Sequence, residues 1–343
     1  IFWFNFVTVP TPSSYFFDTR DSNIAFDAFR TTYPRTTTNG LRLVLIGSND
    51  GQLHAFKTDT GVEAWSFIPP NFLTKLINIA HNAHPTGLTH QYFVDGPTTV
   101  ADAWLGSGDG KTKSASDWRT LAIFGEGRGV GPNIWSSSAS CSSDFKSAYI
   151  AGYENFCGYH ALYVTNTVTS TPYQPTYKWH LTPSATDAAA LGEPWSKMIV
   201  SRVIINGNER WAGFIGAGYS AGNCLSEPCD KKGKGFFVID LRDGSTIWSF
   251  THDGSGTAGN TDMDFSLAAN PLVIDNDADG FADTVYLGDI GGNVWRFRFC
   301  TSGDLATCNT TNWRGSRIYQ RTSGSALTIY TAPTAAKDPS GNL

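Results

Sequence analysis

The stretch Leu45-Ile46-Gly47-Ser48-Asn49-Asp50-Gly51-Gln52-Leu53-His54-Ala55-Phe56 aligns without a gap on Tyr286-Leu287-Gly288-Asp289-Ile290-Gly291-Gly292-Asn293-Val294-Trp295-Arg296-Phe297. Each half reads as an apolar strand, a polar Gly-rich turn and an alternating strand, which is a hairpin. Two further copies carry insertions in the turn. Ile123-Phe124-Gly125-Glu126-Gly127 resumes at Gly158-Tyr159-His160-Ala161-Leu162-Tyr163-Val164, and Phe214-Ile215-Gly216-Ala217-Gly218 resumes at Gly235-Phe236-Phe237-Val238-Ile239-Asp240. A further strand follows three of the copies, at Glu63-Ala64-Trp65-Ser66-Phe67, Tyr177-Lys178-Trp179-His180 and Thr246-Ile247-Trp248-Ser249-Phe250. Another precedes three of them, at Pro97-Thr98-Thr99-Val100-Ala101, within 195–200, and at Asn270-Pro271-Leu272-Val273-Ile274. Four short strands per unit, recurring with Gly and Trp markers, read as propeller blades. The fold class expected is therefore all-β: a β-propeller of four-stranded blades, four to five of them visible, with loop insertions and one short helix. Ile329-Tyr330-Thr331-Ala332-Pro333-Thr334-Ala335 reads as the first strand of the fifth, so the ring is expected to be incomplete. A β-sandwich would not repeat in fourfold units. Residues 1–40 lack the pattern and are expected to be the tail of an upstream region, with the propeller over 41–343.

Composition narrows the function classes. Charged residues make up 16%, against about 25% in ordinary domains, while 41% are hydrophobic and 11 are Trp, so a large core is expected rather than a disordered chain. A net charge of −5 with no basic stripe argues against a nucleic-acid partner. No apolar run reaches the roughly 18 residues of a membrane helix. The opening Ile-Phe-Trp-Phe-Asn-Phe is too short to span and lacks the basic flank of a signal peptide. A start at Ile1 suggests a processed form or a fragment. The six cysteines form three local pairs, Cys141/Cys157, Cys224/Cys229 and Cys300/Cys308, none with two-residue spacing. An even count in Ser/Thr/Gly-rich loops predicts disulfides and an exported protein. The first two pairs lie inside the hairpin insertions and would staple loops without a core of their own.

The strongest chemical signal is Asp275-Asn276-Asp277-Ala278-Asp279-Gly280-Phe281-Ala282-Asp283. Carboxylates at loop positions 1, 3, 5 and 9, a Gly at 6 and a backbone carbonyl at 7 can wrap a hard cation in oxygen. Four carboxylates this close repel one another unless a cation lies between them, and this many oxygen ligands suits Ca²⁺ better than Mg²⁺. The site residues expected are Asp275, Asp277, Asp279 and Asp283 through side chains and Phe281 through its carbonyl. The loop is not an EF-hand: Tyr286 stands where Glu closes that motif, and strands flank it, so Asp283 must supply the closing ligand. The bland alternative is a solvated Asp/Asn turn. Other motifs fail on context. Gly218-Tyr219-Ser220-Ala221-Gly222 matches a nucleophile elbow, but the following Asn-Cys-Leu-Ser-Glu-Pro-Cys cannot begin the required helix. The glycine run 125–131 lacks the third glycine of a dinucleotide loop, because position 130 is Val. Phe72, Leu73, Leu76, Ile77 and Ala80 suggest a packing helix after Pro69-Pro70. The neighbouring His81, His84 and His90 have no matching Cys or carboxylate spacing and read as surface or structural histidines.

Ala55-Phe56-Lys57-Thr58-Asp59-Thr60-Gly61-Val62-Glu63-Ala64-Trp65 and Val238-Ile239-Asp240-Leu241-Arg242-Asp243-Gly244-Ser245-Thr246-Ile247-Trp248 resemble the tryptophan-docking repeats of quinoprotein dehydrogenases, which supports the fold and leaves a quinoprotein-like oxidoreductase as the second function class. Taken with Tyr92-Phe93-Val94-Asp95-Gly96-Pro97, the 46–56 hairpin and the 275–297 segment, the chain resembles the C-terminal propeller of the PilC/PilY family of type IV pilus tip-associated adhesins, over roughly 40–340. The resemblance implies a non-enzymatic biogenesis factor and tip adhesin. It also implies a Ca²⁺ loop controlling pilus extension against retraction, twitching motility and surface attachment. The partners it implies are minor pilins of the tip complex and a host or abiotic surface, and the place is extracellular, reached through the periplasm. An Arg-Gly-Asp motif known in some members is absent from this sequence.

Overall fold

The computed structural model describes residues 6–73, 92–130, 158–166, 175–181, 183–226, 228–252, 259–322 and 327–337. Sixteen strands form four antiparallel sheets of four, each in sequential order. The first holds β1 (Val7–Val9), β2 (Leu43–Gly47), β3 (Leu53–Lys57) and β4 (Glu63–Phe67). The second holds β5 (Thr98–Trp104), β6 (Trp118–Gly125), β7 (Tyr159–Tyr163) and β8 (Thr176–His180). The third holds β9 (Ile199–Ile205), β10 (Asn208–Gly216), β11 (Gly235–Asp240) and β12 (Thr246–Thr251). The fourth holds β13 (Leu272–Ile274), β14 (Thr284–Gly288), β15 (Val294–Arg298) and β16 (Arg314–Tyr319). This is the blade architecture of a propeller.

The gap-free repeat is a repeat of backbone geometry. Leu45 pairs with Ala55 and the aligned Tyr286 with Arg296. In the turns, the Ser48 N–H donates to the Gln52 carbonyl at 2.9 Å, and the Asp289 N–H to the Asn293 carbonyl at 3.0 Å. Gly51 and Gly292 supply the left-handed φ these turns need, at 98° and 86°.

Three apolar clusters fill the spaces between successive sheets. One joins Val9, Leu43 and Leu45 to Ala122, Phe124 and Leu162; another joins Leu121 and Ile123 to Ile215, Phe237 and Ile239; the third joins Phe214, Phe236 and Val238 to Val285, Trp295 and Phe297. Because β11 meets a neighbour on either face, all six of its residues are buried. The marker tryptophans sit opposite β-bulges: Trp65 pairs with Ala55, Trp179 with Ala161 and Trp248 with Val238, each beside a register shift. The bulge turns the ring toward the next blade. Trp179 Nε1–H donates to the Leu241 carbonyl at 2.7 Å, and Trp248 packs edge-on against Phe299 and Trp313.

Residues within the first 40 contribute to this frame. Val7–Val9 is the first strand of the first sheet, running antiparallel to β2. Between them lies α1 (Ala25–Thr32), whose Phe26 and Phe29 are buried against Trp118. Burying two such rings contributes roughly 1.5–3 kcal/mol each. Asp21 takes over the cap, its Oδ2 accepting the Ala25 N–H at 2.8 Å. A second helix, α2 (Ala185–Ala190), is capped by Ser184 and leads into the third sheet. Of the helix expected after the paired prolines, the described part is a single 3₁₀ turn over Pro70–Phe72; its remainder and His81, His84 and His90 lie outside the described residues. Residues 327–337 form no strand. Ile329 donates its N–H to the Asp289 carbonyl at 3.3 Å, just past the end of β14, and among the described residues no ladder continues from it.

Candidate calcium site

The 275–283 loop joins β13 to β14, the first two strands of the fourth sheet. Its fold follows from its composition. Asp275, Asp277 and Asp279 accept backbone N–H groups two to five residues on, and the left-handed turns fall at Ala278 (φ 61°) and Gly280 (φ 90°). Asp275 accepts from the N–H of Asp279 at 3.1 Å and of Gly280 at 2.8 Å. Asp279 Oδ1 accepts from Phe281 at 2.8 Å, and Asp283 Oδ2 from Asn276 at 2.8 Å and Asp277 at 3.3 Å. Asp277 Oδ2 reaches across to the Ser302 N–H at 2.8 Å. The loop is thus tied to the segment after β15.

One carboxylate oxygen from each of Asp275, Asp277 and Asp283 lies within 4.8 Å of the others. Asp279 stands outside that trio, and its Oδ1 accepts the Phe281 N–H. Its Oδ2, like Asp283 Oδ1, is buried and accepts no hydrogen bond among the described residues. Two buried acceptors without donors, in a cluster of carboxylates, fit a cation rather than a solvated turn. Hard oxygen ligands at this number fit Ca²⁺. Burial, and then the charges of Asp277, Asp275 and Asp283, push the Asp279 carboxyl above the ordinary range, although the Phe281 N–H works against them. Burial also opposes ionisation of Asp277, but the Ser302 hydrogen bonds outweigh it and hold that carboxyl low. The Phe281 ring is buried, which fixes the backbone at the position expected to offer a carbonyl.

Behind the loop lies a buried arginine that ties it to the third sheet. Arg202 on β9 donates Nε–H to the Gly280 carbonyl at 2.7 Å, and its own carbonyl accepts the Ala282 N–H at 2.8 Å. Its guanidinium also lies 4.8 Å from the Phe281 ring centroid. The other arm of Arg202 enters a buried ionic cluster. Nη1 lies 2.8 Å from Asp18 Oδ1 and 3.4 Å from Glu209 Oε2, while Lys113 bonds Asp18 and reaches Glu209 Oε1 at 2.7 Å. The four side chains are between 0% and 5% exposed, so two positive and two negative charges balance out of water. Burial would raise the Asp18 carboxyl, but the Lys113 bond and the Arg202 charge bring it below its ordinary value. Positions 18, 113, 202 and 209 are too far apart to form a motif. The available signal was a lone Arg within the apolar run Ile199-Val-Ser-Arg-Val-Ile-Ile.

Of the expected disulfides, Cys224–Cys229 and Cys300–Cys308 are formed, with Cα separations of 5.0 and 5.6 Å. Cys141 and Cys157 lie outside the described residues. Ser220 donates its hydroxyl to Asp230 at 2.6 Å, and no helix follows it among the described residues.

Residues 187–317, from α2 through the 275–283 loop and into β16, match the family model of the PilY1 beta-propeller domain. The chain belongs to the PilY1 β-propeller family. It is 32% identical over 254 residues to the type IV pilus biogenesis factor PilY1 of Pseudomonas aeruginosa strain UCBPP-PA14, covering 74% of this chain and 17% of that protein. A PilY1 homolog of Xylella fastidiosa strain Temecula1 is 26% identical over 283 residues, covering 81% of this chain and 15% of that protein. The chain therefore spans less than a fifth of either relative. The crystal structure of the Pseudomonas aeruginosa PilY1 C-terminal domain superposes with a TM-score of 0.61 at 24% identity, over 98% of this chain and 57% of that one, and shows the shared fold.

Proposed function

We propose that this chain is the propeller portion of a non-enzymatic type IV pilus biogenesis factor and tip adhesin. In this reading, Ca²⁺ in the 275–283 loop governs pilus extension against retraction and surface attachment. The observation that carries it is the convergence of Asp275, Asp277 and Asp283 oxygens in a member of the PilY1 family. Asp279, through its buried Oδ2, and the Phe281 carbonyl complete the ligand set. The relatives' printed function supplies the biological setting, a pilus biogenesis factor. Minor pilins of the tip complex and a host or abiotic surface are the partners of this reading. Two formed disulfides support an oxidising, extracellular location reached through the periplasm.

Bound Ca²⁺ supplies charge neutralisation to carboxylates that otherwise repel, and it fixes the loop against β9 and the segment after β15. A ligand that binds only the folded state stabilises it by about 2.7 kcal/mol at a hundredfold excess over Kd. Calorimetry on the parent chain should show one Ca²⁺ site, lost in Asp277→Ala/Asp283→Ala with the four sheets intact by circular dichroism. Asp277→Asn, which can keep an oxygen for Ser302, should weaken binding with less effect on folding. Unchanged binding in the double variant would overturn the site. Lost binding with normal twitching and surface piliation, measured with the variant in its full-length protein, would leave the site structural and remove the control of retraction.

A further inference from the structure

Beyond the calcium loop, a second group of ligand-type side chains comes together where the 219–234 insertion folds back on the end of β12. Cys224, Cys229 and His252 each place one ligand atom within 4.8 Å of the others, with Cys224 and His252 buried and Cys229 half-buried. The Cys224 Sγ lies 3.2 Å from His252 Nε2. Both residues are held by backbone. The Cys224 N–H donates to the Asp264 carbonyl at 2.9 Å and the His252 N–H to the Lys234 carbonyl at 3.2 Å.

The imidazole is oriented as a metal ligand is. Its Nδ1 lies 3.2 Å from the Met263 carbonyl, which can only accept, and 3.8 Å from Asp264 Oδ1. Nδ1 is therefore placed to donate to that carbonyl, and Nε2 faces the sulfur. Metal-binding histidines are oriented by this kind of carbonyl or carboxylate contact on the far nitrogen. In the structure the two sulfurs are joined as a disulfide, which occupies their bonding capacity.

We infer that Cys224, Cys229 and His252 form a redox-gated site for a soft metal ion of the Zn²⁺ class, closed by the disulfide and opened by its reduction. The chemistry balances. A dithiol donates two electrons and two protons, the S–S bond breaks, and the dithiol becomes a disulfide while Cys224 and Cys229 become thiols. Zn²⁺ then displaces both thiol protons to solvent and forms two Zn–S bonds and one Zn–N bond. Two thiolates, one imidazole and one dication sum to zero charge, which suits a buried site. Thiolate and imidazole select Zn²⁺ and disfavour Ca²⁺, so this site and the 275–283 loop do not compete for the same ion. With Zn–S near 2.3 Å and Zn–N near 2.0–2.1 Å, a tetrahedral centre sets sulfur and nitrogen about 3.6 Å apart and the sulfurs about 3.8 Å apart. The observed 3.2 Å between Cys224 Sγ and His252 Nε2 is already close to that edge. The sulfurs have to part, and the Cys224–His252 edge has to widen by about 0.4 Å. Three protein ligands leave the fourth position to water on the half-buried Cys229 side.

The test uses Co²⁺ as a spectroscopic stand-in, with Ca²⁺ in excess to fill hard-oxygen sites. After reduction with a phosphine, which leaves no competing thiol, the chain should take up Co²⁺ with a sulfur-to-cobalt charge-transfer band that Zn²⁺ abolishes. The oxidised chain should show no such band. Cys224→Ser/Cys229→Ser should lose it, and His252→Ala should weaken Co²⁺ and Zn²⁺ at least tenfold, by analogy with the 10–100-fold cost of losing an outer-sphere partner. Zn²⁺ should also raise the melting temperature of the reduced parent and not of the oxidised parent. The inference is overturned by a reduced chain that stays folded without the band, or by one that is unfolded with and without Zn²⁺. A band that survives in the double-serine variant, or an affinity unchanged in His252→Ala, overturns it as well.

Discussion

Replacing Arg202 by Met tests whether the ionic cluster behind the calcium loop holds the fold together. Arg202 Nη1 lies 2.8 Å from Asp18 in surroundings where neither side chain is more than 5% exposed. At an effective dielectric of about 20, that pair attracts by roughly 6 kcal/mol, most of it offsetting the desolvation of the two charges. Removing Arg202 withdraws the attraction but leaves Asp18 and Glu209 buried with Lys113 alone between them, so one negative charge is uncompensated. Orphaning one partner in this way costs about 3–5 kcal/mol. The melting temperature should fall by roughly 4–7 °C, at about 1.4 °C per kcal/mol for a chain of 343 residues. Arg202→Met also deletes the bond to the Gly280 carbonyl, so amides within 275–283 should exchange faster than in the parent under native conditions. Adding Glu209→Gln to Arg202→Met restores charge balance and should recover part of the loss, with a coupling of roughly 0.5–3 kcal/mol. Thermal and urea melts of the two singles and the double supply the cycle. A loss under about 1 kcal/mol for Arg202→Met, or a strictly additive double, would refute the account of a balanced buried cluster.

Stability should also follow Asp18. Its folded pKa lies below the ordinary 3.8, so its contribution is present above that value and is lost as the pH falls through the folded pKa. Urea melts should therefore lose an increment below about pH 4 that Asp18→Asn lacks; a loss confined to pH 5–7 would contradict this. His54 titrates in the opposite sense. Its partial burial lowers its pKa, but Glu63 at 2.6 Å and Asp50 at 2.9 Å outweigh that, so its small, solvent-screened contribution is complete below 6.5 and fades as pH rises through the folded value. Proton NMR should place its midpoint above 6.5 in the parent and lower in Glu63→Gln. Gly244→Ala should cost roughly 1–3 kcal/mol, because the new methyl would lie 2.5 Å from the His180 carbonyl and 2.8 Å from the docked Trp179 ring at a φ of +77°. Gly61→Ala, at a similar φ of +70° with nothing within 4 Å, should cost only the backbone part, and equal losses at the two sites would argue against docking.

What could be read in the sequence were features whose physics is local. The hairpins at 45–56 and 286–297 showed themselves because a tight turn demands its glycine at a fixed place, so the chemistry of Gly51 and Gly292 recurs in the same column. The convergence of Asp275, Asp277 and Asp283 was legible for the same reason, since the three carboxylates lie within nine residues. Val7–Val9 was not, because three residues are too few for alternation to register, and the strand exists only through its pairing with β2. Helix α1 was missed although Phe26 and Phe29 stand three apart, since its entry has no Ser, Thr, Asp or Asn at the N-cap and Asp21 caps it from outside. At 329–335 the alternation of a strand was present, but among the described residues it joins no sheet. A strand is a relation between segments, and pattern alone does not supply one.

The same distinction governs how the calcium loop is built into the molecule. Its ligands are local, but its backbone is held from outside: Arg202 donates to the Gly280 carbonyl, the Arg202 carbonyl accepts from Ala282, and Ser302 donates to Asp277. Arg202 is also the member of the ionic cluster that touches Asp18, in the segment between β1 and β2. One side chain therefore joins the turn around the expected cation to Asp18, which lies 184 residues before Arg202 in sequence. On the proposed function, energy released when Ca²⁺ orders Gly280 and Phe281 reaches that segment through a rigid, charge-balanced contact rather than through solvent. The direction of influence is reciprocal by linkage, so weakening the Asp18 contact must lower Ca²⁺ affinity by the same factor that Ca²⁺ strengthens it. Asp18→Asn, which leaves every loop ligand in place, should therefore bind Ca²⁺ more weakly than the parent in calorimetry. Equal affinities would show that the cluster and the loop share Arg202 without sharing energy.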